Sequence, residues 1–266
     1  MFTELSAVKL QQQSKLQLNK KRKITDMVVV SKHKLMMSVL EQRTIILVDS
    51  GSGQVLSEIT LHNKPRSLVM MGVQLAAATL ADCKVQLVEV NGATLKAKTN
   101  ITVGVDVYGI AAHQHNLIVS YDPPGVKIIS MNGTVIHNLD NTTAGREVFK
   151  KPRSIATSFD DSIFVTDWGT HQITRLDVSL TILQTFAGSL MLGPHGIIAL
   201  NNDCILVCSR DNNSILLIWP STNSMTVVLE RQHGIKSPKS LCFCKEQNKF
   251  YVAPYVDEVL VFQLSE

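Results

Sequence analysis

Pro152-Arg153-Ser154-Ile155, followed by Ile163-Phe164-Val165-Thr166-Asp167 and then His171-Gln172-Ile173, decides how the whole chain is read. The opening marker, Pro-x-Ser/Gly-aliphatic, returns as Pro194-His195-Gly196-Ile197 and Pro238-Lys239-Ser240-Leu241, and stands earlier as Pro65-Arg66-Ser67-Leu68. The gaps between markers are 87, 42 and 44 residues, and 87 is two periods of 43.5. Near the midpoint of the long gap the chain reads Val107-Tyr108-Gly109-Ile110, with Val in place of Pro. One period before Pro65, Ile24-Thr25-Asp26-Met27 occupies the same frame. Six units therefore start near 24, 65, 107, 152, 194 and 238. A fixed period of this length signals a repeat architecture.

The interior of the units keeps the same frame. Twenty-one residues after each start stand Ile45, Gln86, Ile128, Ile173, Ile215 and Val259, aliphatic and β-branched except for Gln86, which Val85 and Leu87 flank. Each unit divides into short apolar runs separated by turn residues. In the fourth, Ser154–Thr157, Ile163–Thr166, Gln172–Asp177 and Leu180–Ala187 are the expected strands, with turns at Asp160-Asp161 and Asp167-Trp168-Gly169. In the fifth, the first turn is expected at Asn201-Asn202-Asp203 and the following loop at Asp211-Asn212-Asn213. Asn91-Gly92 and Asn132-Gly133 fall between the last two strands of units two and three, and Asn-Gly between apolar runs is a strong hairpin signal.

Four strands in about 43 residues, repeated six times, predict an all-β, six-bladed β-propeller of four-stranded antiparallel blades. A lone blade has two exposed faces, and stacking around a ring covers them. The sixth unit ends after its third strand, Glu258–Leu264, while one strand is left over before the first unit. Residues 1–23 are therefore expected to hold a closing strand, either Ser14–Asn19 or Ala7–Gln12, and a basic linker, with the propeller proper over 24–266. Closing the ring this way removes two free sheet edges.

Composition narrows the function class. Hydrophobic residues are 45% and charged residues 18%, so the chain is a folding one. No apolar run reaches the roughly 18 residues of a membrane-spanning helix, so no membrane association is expected. Residues 1–23 carry six Lys/Arg without an apolar core, unlike a secretory signal. Five cysteines do not read as a disulfide framework, and the expected location is cytoplasmic. Of the net charge of +4, residues 1–23 hold +5, which leaves −1 for the rest. The basic balance belongs to one short segment, Lys20-Lys21-Arg22-Lys23 above all, read as a solvated linker beside the alternative of a basic targeting or phosphate patch.

The marker, then a turn, then an aliphatic strand ending in Asp before a polar loop, resembles the NHL repeat. The fourth unit matches best, and the fifth follows with Asn212-Asn213-Ser214-Ile215; Gln172 and Ser214 stand where the family pattern usually has Arg. Units one, two and six are degenerate. The whole is similar to the C-terminal propeller of tripartite-motif NHL proteins. There the propeller selects a protein or RNA partner and an N-terminal RING supplies ubiquitin-ligase activity. No zinc-finger cysteine array or coiled-coil heptads stand in this chain. The resemblance therefore implies a recognition module without the ligase part.

In a propeller the residue x of each marker lies just before the innermost strand, at the mouth of the central channel. The aligned residues are Thr25, Arg66, Tyr108, Arg153, His195 and Lys239. Arg and Lys supply charge, and Tyr and Arg offer stacking planes, a set suited to an acidic peptide or an RNA strand. Trp168, in a loop of the same face, is expected to add a platform. Glu41, Asp82, Asp122, Asp167, Asp211 and Asp257 share that face, which is therefore mixed in sign. The expected binding residues are Arg66, Tyr108, Arg153, His195, Lys239 and Trp168. A protein partner is the first reading and single-stranded RNA the second.

Enzymatic chemistry finds little support. No phosphate loop or Gly-x-Ser-x-Gly elbow is present. Cys242-x-Cys244 and Cys204-x-x-x-Cys208 are expected on adjacent inner strands as small core hydrophobes, since zinc thiolates come from turns with two-residue spacing. His113-Gln114-His115 falls in a solvated turn of the opposite face. A metal-dependent lactonase or lyase, known among six-bladed propellers, needs carboxylate, Asn or His ligands at the channel, where the aligned set offers His195 beside cations. No cofactor, metal, catalytic residue or small-molecule substrate is expected.

Overall fold

A computed structural model describes residues 9–200, 204–254 and 258–265. Its strands form six four-stranded antiparallel sheets. Five of these are blades of four strands consecutive in sequence, over residues 24–60, 65–102, 106–140, 152–186 and 194–229. The sixth joins Pro238–Cys244, Lys249–Pro254 and Val259–Ser265 to an outermost strand from the other end of the chain, Lys9–Leu16. The innermost strands are Ile24–Ser31, Pro65–Met70, Asp106–His113, Pro152–Thr157, Pro194–Ala199 and Pro238–Cys244. A single 3-10 turn, Arg231–His233, is the one helical element among the described residues. The turn expected at Asn201-Asn202-Asp203 lies outside them.

The closing strand is neither of the two windows read from the sequence but straddles them. Lys9 pairs with Ser265 and Leu16 with Val259, and the register shifts between Gln12 and Ser14. Leu16 is 3% exposed and packs with Ile24, Met27 and Val259 in the apolar cluster between blades six and one. Leu18 touches the same cluster from outside the sheet, which is why the Leu16/Leu18 alternation drew the sequence reading too far along. Two contacts hold the exit. Gly53, at φ +75°, turns so closely against the Gln17 backbone that a Cβ would collide with its carbonyl. Arg22, 6% exposed, grips Glu58 of blade one through two hydrogen bonds of 3.2 and 2.9 Å.

Six apolar clusters fill the ring, one at each blade–blade junction. Middle strands are covered on both faces. Met36 faces one neighbouring blade and Met37 the other; Ala77 likewise opposes Ala76 and Ala78. Such strands read as continuous apolar runs because both faces are dry. The cysteines sit in this packing: Cys204 and Cys208 between blades five and six, Cys242 and Cys244 between six and one. Cys208 is on the second strand of blade five, Ile205–Ser209, and not on the inner strand the sequence reading gave it. Burial pushes the Cys208 and Cys242 thiols up.

Candidate binding site at the channel mouth

The same irregularity occurs at the start of every inner strand. The pairing register slips between Ile24 and Asp26, Pro65 and Ser67, Val107 and Ile110, Pro152 and Ile155, Pro194 and Ile197, and Pro238 and Ser240. This is a β-bulge built on the marker itself, and a bulge re-aims the extra side chain. Opposite it, on the second strand, blades one to four carry a hydroxyl: Ser38, Thr79, Ser120 and Thr166. Thr79 Oγ1 accepts the Ser67 amide (3.1 Å) and donates to the Tyr108 carbonyl of the next blade (2.6 Å). Ser120 Oγ accepts the Gly109 amide (2.8 Å) and donates to the Arg153 carbonyl (2.9 Å). One hydroxyl thus satisfies the bulge and ties it to its neighbour. Blades five and six have Cys208 and Ala253 at this place.

The marker's third residue explains its own chemistry. A Cβ at Gly109 would overlap the Arg153 carbonyl, and one at Gly196 would come 2.8 Å from the Lys239 carbonyl. Inner strands of adjacent blades meet there. Asp26 takes this position in blade one and binds sideways to both neighbours: Ser67 Oγ and Ser240 Oγ donate to its carboxylate at 2.6 Å each, and the Leu68 amide at 2.8 Å. Enclosure in the channel is the largest influence on Asp26 and raises its pKa against the lowering effect of these bonds.

Above this ring the bulges deliver the second marker residue to the mouth. Arg66, Tyr108, Arg153, His195 and Lys239 line one cavity of about 320 Å³, with Thr25, Asp26 and Arg210. The Tyr108 ring lies between its neighbours, with the Arg66 and Arg153 guanidinium carbons each 4.2 Å from its centroid. Arg66 is also held by Asp106 (2.7 Å) and donates to the Val107 carbonyl (2.8 Å). Thr25 does not reach out as a ligand; its hydroxyl donates to the Pro65 carbonyl (3.1 Å). Burial, reinforced by Lys239, Arg210 and Arg153, pushes His195 down to about 3, so its imidazole is neutral at physiological pH. Burial and then Arg210 bring Lys239 down to about 8.

Trp168 is not part of this cavity. Its indole nitrogen donates to Asp211 of blade five (2.9 Å), Lys151 stands over the ring at 4.7 Å, and the ring packs on Gly193. It is a bridge between blades four and five. Three acidic residues of the face are also engaged in the scaffold, while Asp122 is exposed. Asp167 accepts the amides of Lys150, Lys151, Gly169 and Thr170, Asp82 holds His62 and Lys84, and Glu41 holds Lys23. Asp257 lies outside the described residues. The sequence reading missed Asp26 and Arg210. Asp26 hid at a Ser/Gly position of a degenerate unit, and Arg210 lies in a loop after a second strand, outside the marker frame.

No family model matches the chain, and no curated protein matches it. Its likeness is to solved structures, and it is one of fold. Virginiamycin B lyase from Staphylococcus aureus matches with a TM-score of 0.68 at 17% identity, over 97% of this chain and 100% of that one. The β-propeller domain of Cps50 (Swd1) from Myceliophthora thermophila matches with a TM-score of 0.68 at 11% identity, over 91% and 83%. A chain of a nidogen/laminin complex matches with a TM-score of 0.67 at 11% identity, over 83% and 84%. Enzymes and non-enzymes thus share this ring, and its chemistry has to be read from the mouth. Among the described residues, no helix is long and apolar enough to cross a membrane, and no group of three His, Cys, Asp or Glu is placed to hold a metal ion.

Proposed function

We propose that this chain is a non-catalytic recognition module that binds an acidic segment of a protein partner at the channel mouth, in the manner of the NHL propellers its repeat resembles, and that it works in the cytoplasm. The observation that carries this reading is the convergence of Arg66, Tyr108, Arg153, His195 and Lys239, from five successive blades, on one cavity. Concave sites with a few converging polar groups are the usual places for ligands. The cations crowd one another, which an anionic guest relieves and a bound metal ion aggravates; this favours recognition over a metal-dependent lyase. Peptide is favoured over RNA because the Tyr108 ring already has two guanidinium groups against it and Trp168, bonded to Asp211 with Lys151 over its ring, stands outside the cavity. The nidogen/laminin complex among the structural neighbours is consistent with protein binding by such a ring.

The test is a pull-down with the wild-type chain and with Arg153→Ala/Lys239→Ala, folding being checked by melting temperature. The wild type is expected to enrich a partner that the double variant loses, and raising salt should weaken capture. An unchanged set of captured proteins overturns the site. Salt-sensitive retention of single-stranded RNA that these substitutions abolish would transfer the site to the RNA reading.

A further inference from the structure

A second cavity, of about 570 Å³, lies on blade three and shares no residue with the mouth. Val105, Pro123, Pro124 and Val135 give it apolar walls. Lys127, on the third strand, reaches it from within the blade. The residue is only 8% exposed, and its ammonium lies 4.4 Å from the centroid of the Tyr121 ring. Gly125 makes room for that ring, since a Cβ there would come 2.5 Å from it. The Tyr121 hydroxyl donates to Asn138 (2.6 Å), which pins the ring. Burial, and then Asp140, pushes the phenol up to about 12, so it stays a donor.

The other polar groups around the cavity pair with one another. Asn138 donates to Asp140 (2.9 Å), and Asp140 accepts the Thr143 amide (2.7 Å). Asn141 accepts the amides of Val148 (2.8 Å) and Phe149 (2.9 Å). Lys127 stands outside this network. Its ammonium carries three donors, and a ring face takes one of them. Among the described residues, no oxygen or nitrogen accepts from the others and no carboxylate forms an ion pair with Lys127. Burial lowers the Lys127 pKa, and Asp140 partly offsets this through space. The charge thus has a counterweight, while the donors lack an acceptor. Buried donors left unmade are costly, so an acceptor from outside is favoured.

We propose that this cavity receives an uncharged carbonyl oxygen carried beside an apolar group, as an amide carries both. Lys127 donates to the oxygen, and Pro123, Pro124 and Val135 meet the apolar part. The site stands apart from the reading of the mouth. Its carbonyl belongs either to a partner chain or to a free small molecule. A smaller cavity of about 210 Å³ makes the first source reachable. It shares Tyr108 and Arg153 with the mouth and Tyr121 with the blade-three cavity, so a segment leaving the mouth has a path between them.

NMR titration of the full chain, carrying isotope-labelled tyrosine and lysine, tests this with N-isopentylacetamide, isovalerate and isopentylammonium. The acetamide is expected to shift the Tyr121 ring and Lys127 ε-methylene resonances saturably. It should bind about tenfold tighter than isopentylammonium, which keeps the apolar part and lacks an acceptor. Lys127→Met keeps the stem, removes the donors and should weaken the acetamide about tenfold without lowering the melting temperature. Val135→Asp, at an exposed wall position, should weaken it as well. Absence of a saturable shift overturns the proposal, as does equal binding of isopentylammonium or acetamide affinity unchanged in Lys127→Met. If Lys127→Met melts lower, Val135→Asp decides, and unchanged affinity there overturns it. Tighter binding of isovalerate makes the site one for an anion and overturns it too. Once the acetamide is seen to bind, a pull-down with Lys127→Met assigns the source. A partner lost by both this variant and Arg153→Ala/Lys239→Ala brings the carbonyl itself. A partner lost only by the mouth variant gives the cavity to a free amide and leaves the recognition reading standing.

Discussion

Lys239 stands in the mouth at the expense of the fold. Its pKa falls from 10.5 to about 8, by burial first and then by Arg210, Lys23 and Arg153, with Asp26 partly offsetting them. A lysine whose folded pKa is depressed destabilises the fold wherever it is charged. The penalty is full below about pH 8 and fades as pH rises toward 10.5. At about 1.4 kcal/mol per unit this is about 3 kcal/mol near neutrality. Lys239→Met is therefore expected to raise the melting temperature at pH 7 by several degrees, at about 2–4 °C per kcal/mol, and to show little advantage above pH 10. Thermal melts of both proteins across that range check the sign; a variant no more stable than the wild type at pH 7 contradicts it. The ring of second marker residues was legible at this scale because a repeat frame gives each blade the same address. Asp26 and Arg210 were not, because one occupies a position where small residues are the rule and the other sits where the frame has no fixed residue. The loop that carries Trp168 is legible in the repeat, but its hydrogen-bond partner, 43 residues away, is not.

At the scale of elements, the bulge is what turns a short motif into a site. Its third residue must suit the approach of the next blade, and the blades differ in how much room they leave. Gly109→Ala places a methyl group against the Arg153 backbone and is expected to cost about 1–3 kcal/mol, while Ser154→Ala, at a position that already carries a Cβ, should cost less. Chemical denaturation of the two variants compares them directly, and equal losses would contradict the packing described. The strands themselves were largely visible: Ile163–Asp167 and Gln172–Leu176 lie within a residue of their expected limits. The closing strand was harder. Its early part, Lys9-Leu10-Gln11-Gln12, is largely polar, so no apolar alternation marks it.

At the scale of the molecule, the ring closes through the pairing of Lys9–Leu16 with Val259–Ser265, the two ends of the described chain. Removing residues through Leu16 leaves Val259–Ser265 as an open edge and strips Leu16 from the cluster between blades six and one. Such a truncation is expected to lose amide-exchange protection first in blades six and one, or to aggregate through the new edge. Protection unchanged across blade six would contradict the role of this strand. Ring closure was readable from arithmetic alone, as one strand too few at one end and one too many at the other. The net charge of +4 belongs to the closing segment and carries no information about the mouth.

The bulge has a consequence for how such a molecule changes over time. Its geometry is set by backbone pairing, by a hydroxyl on the second strand and by the fit of the third marker residue. In blades two to six the second residue takes part in these contacts through its backbone, while its side chain lines the cavity. Blades two to six therefore each carry one letter that can be rewritten while the sentence around it still folds. Specificity in this ring is a short word spelled across blades, and a single substitution gives a new spelling on an unchanged page.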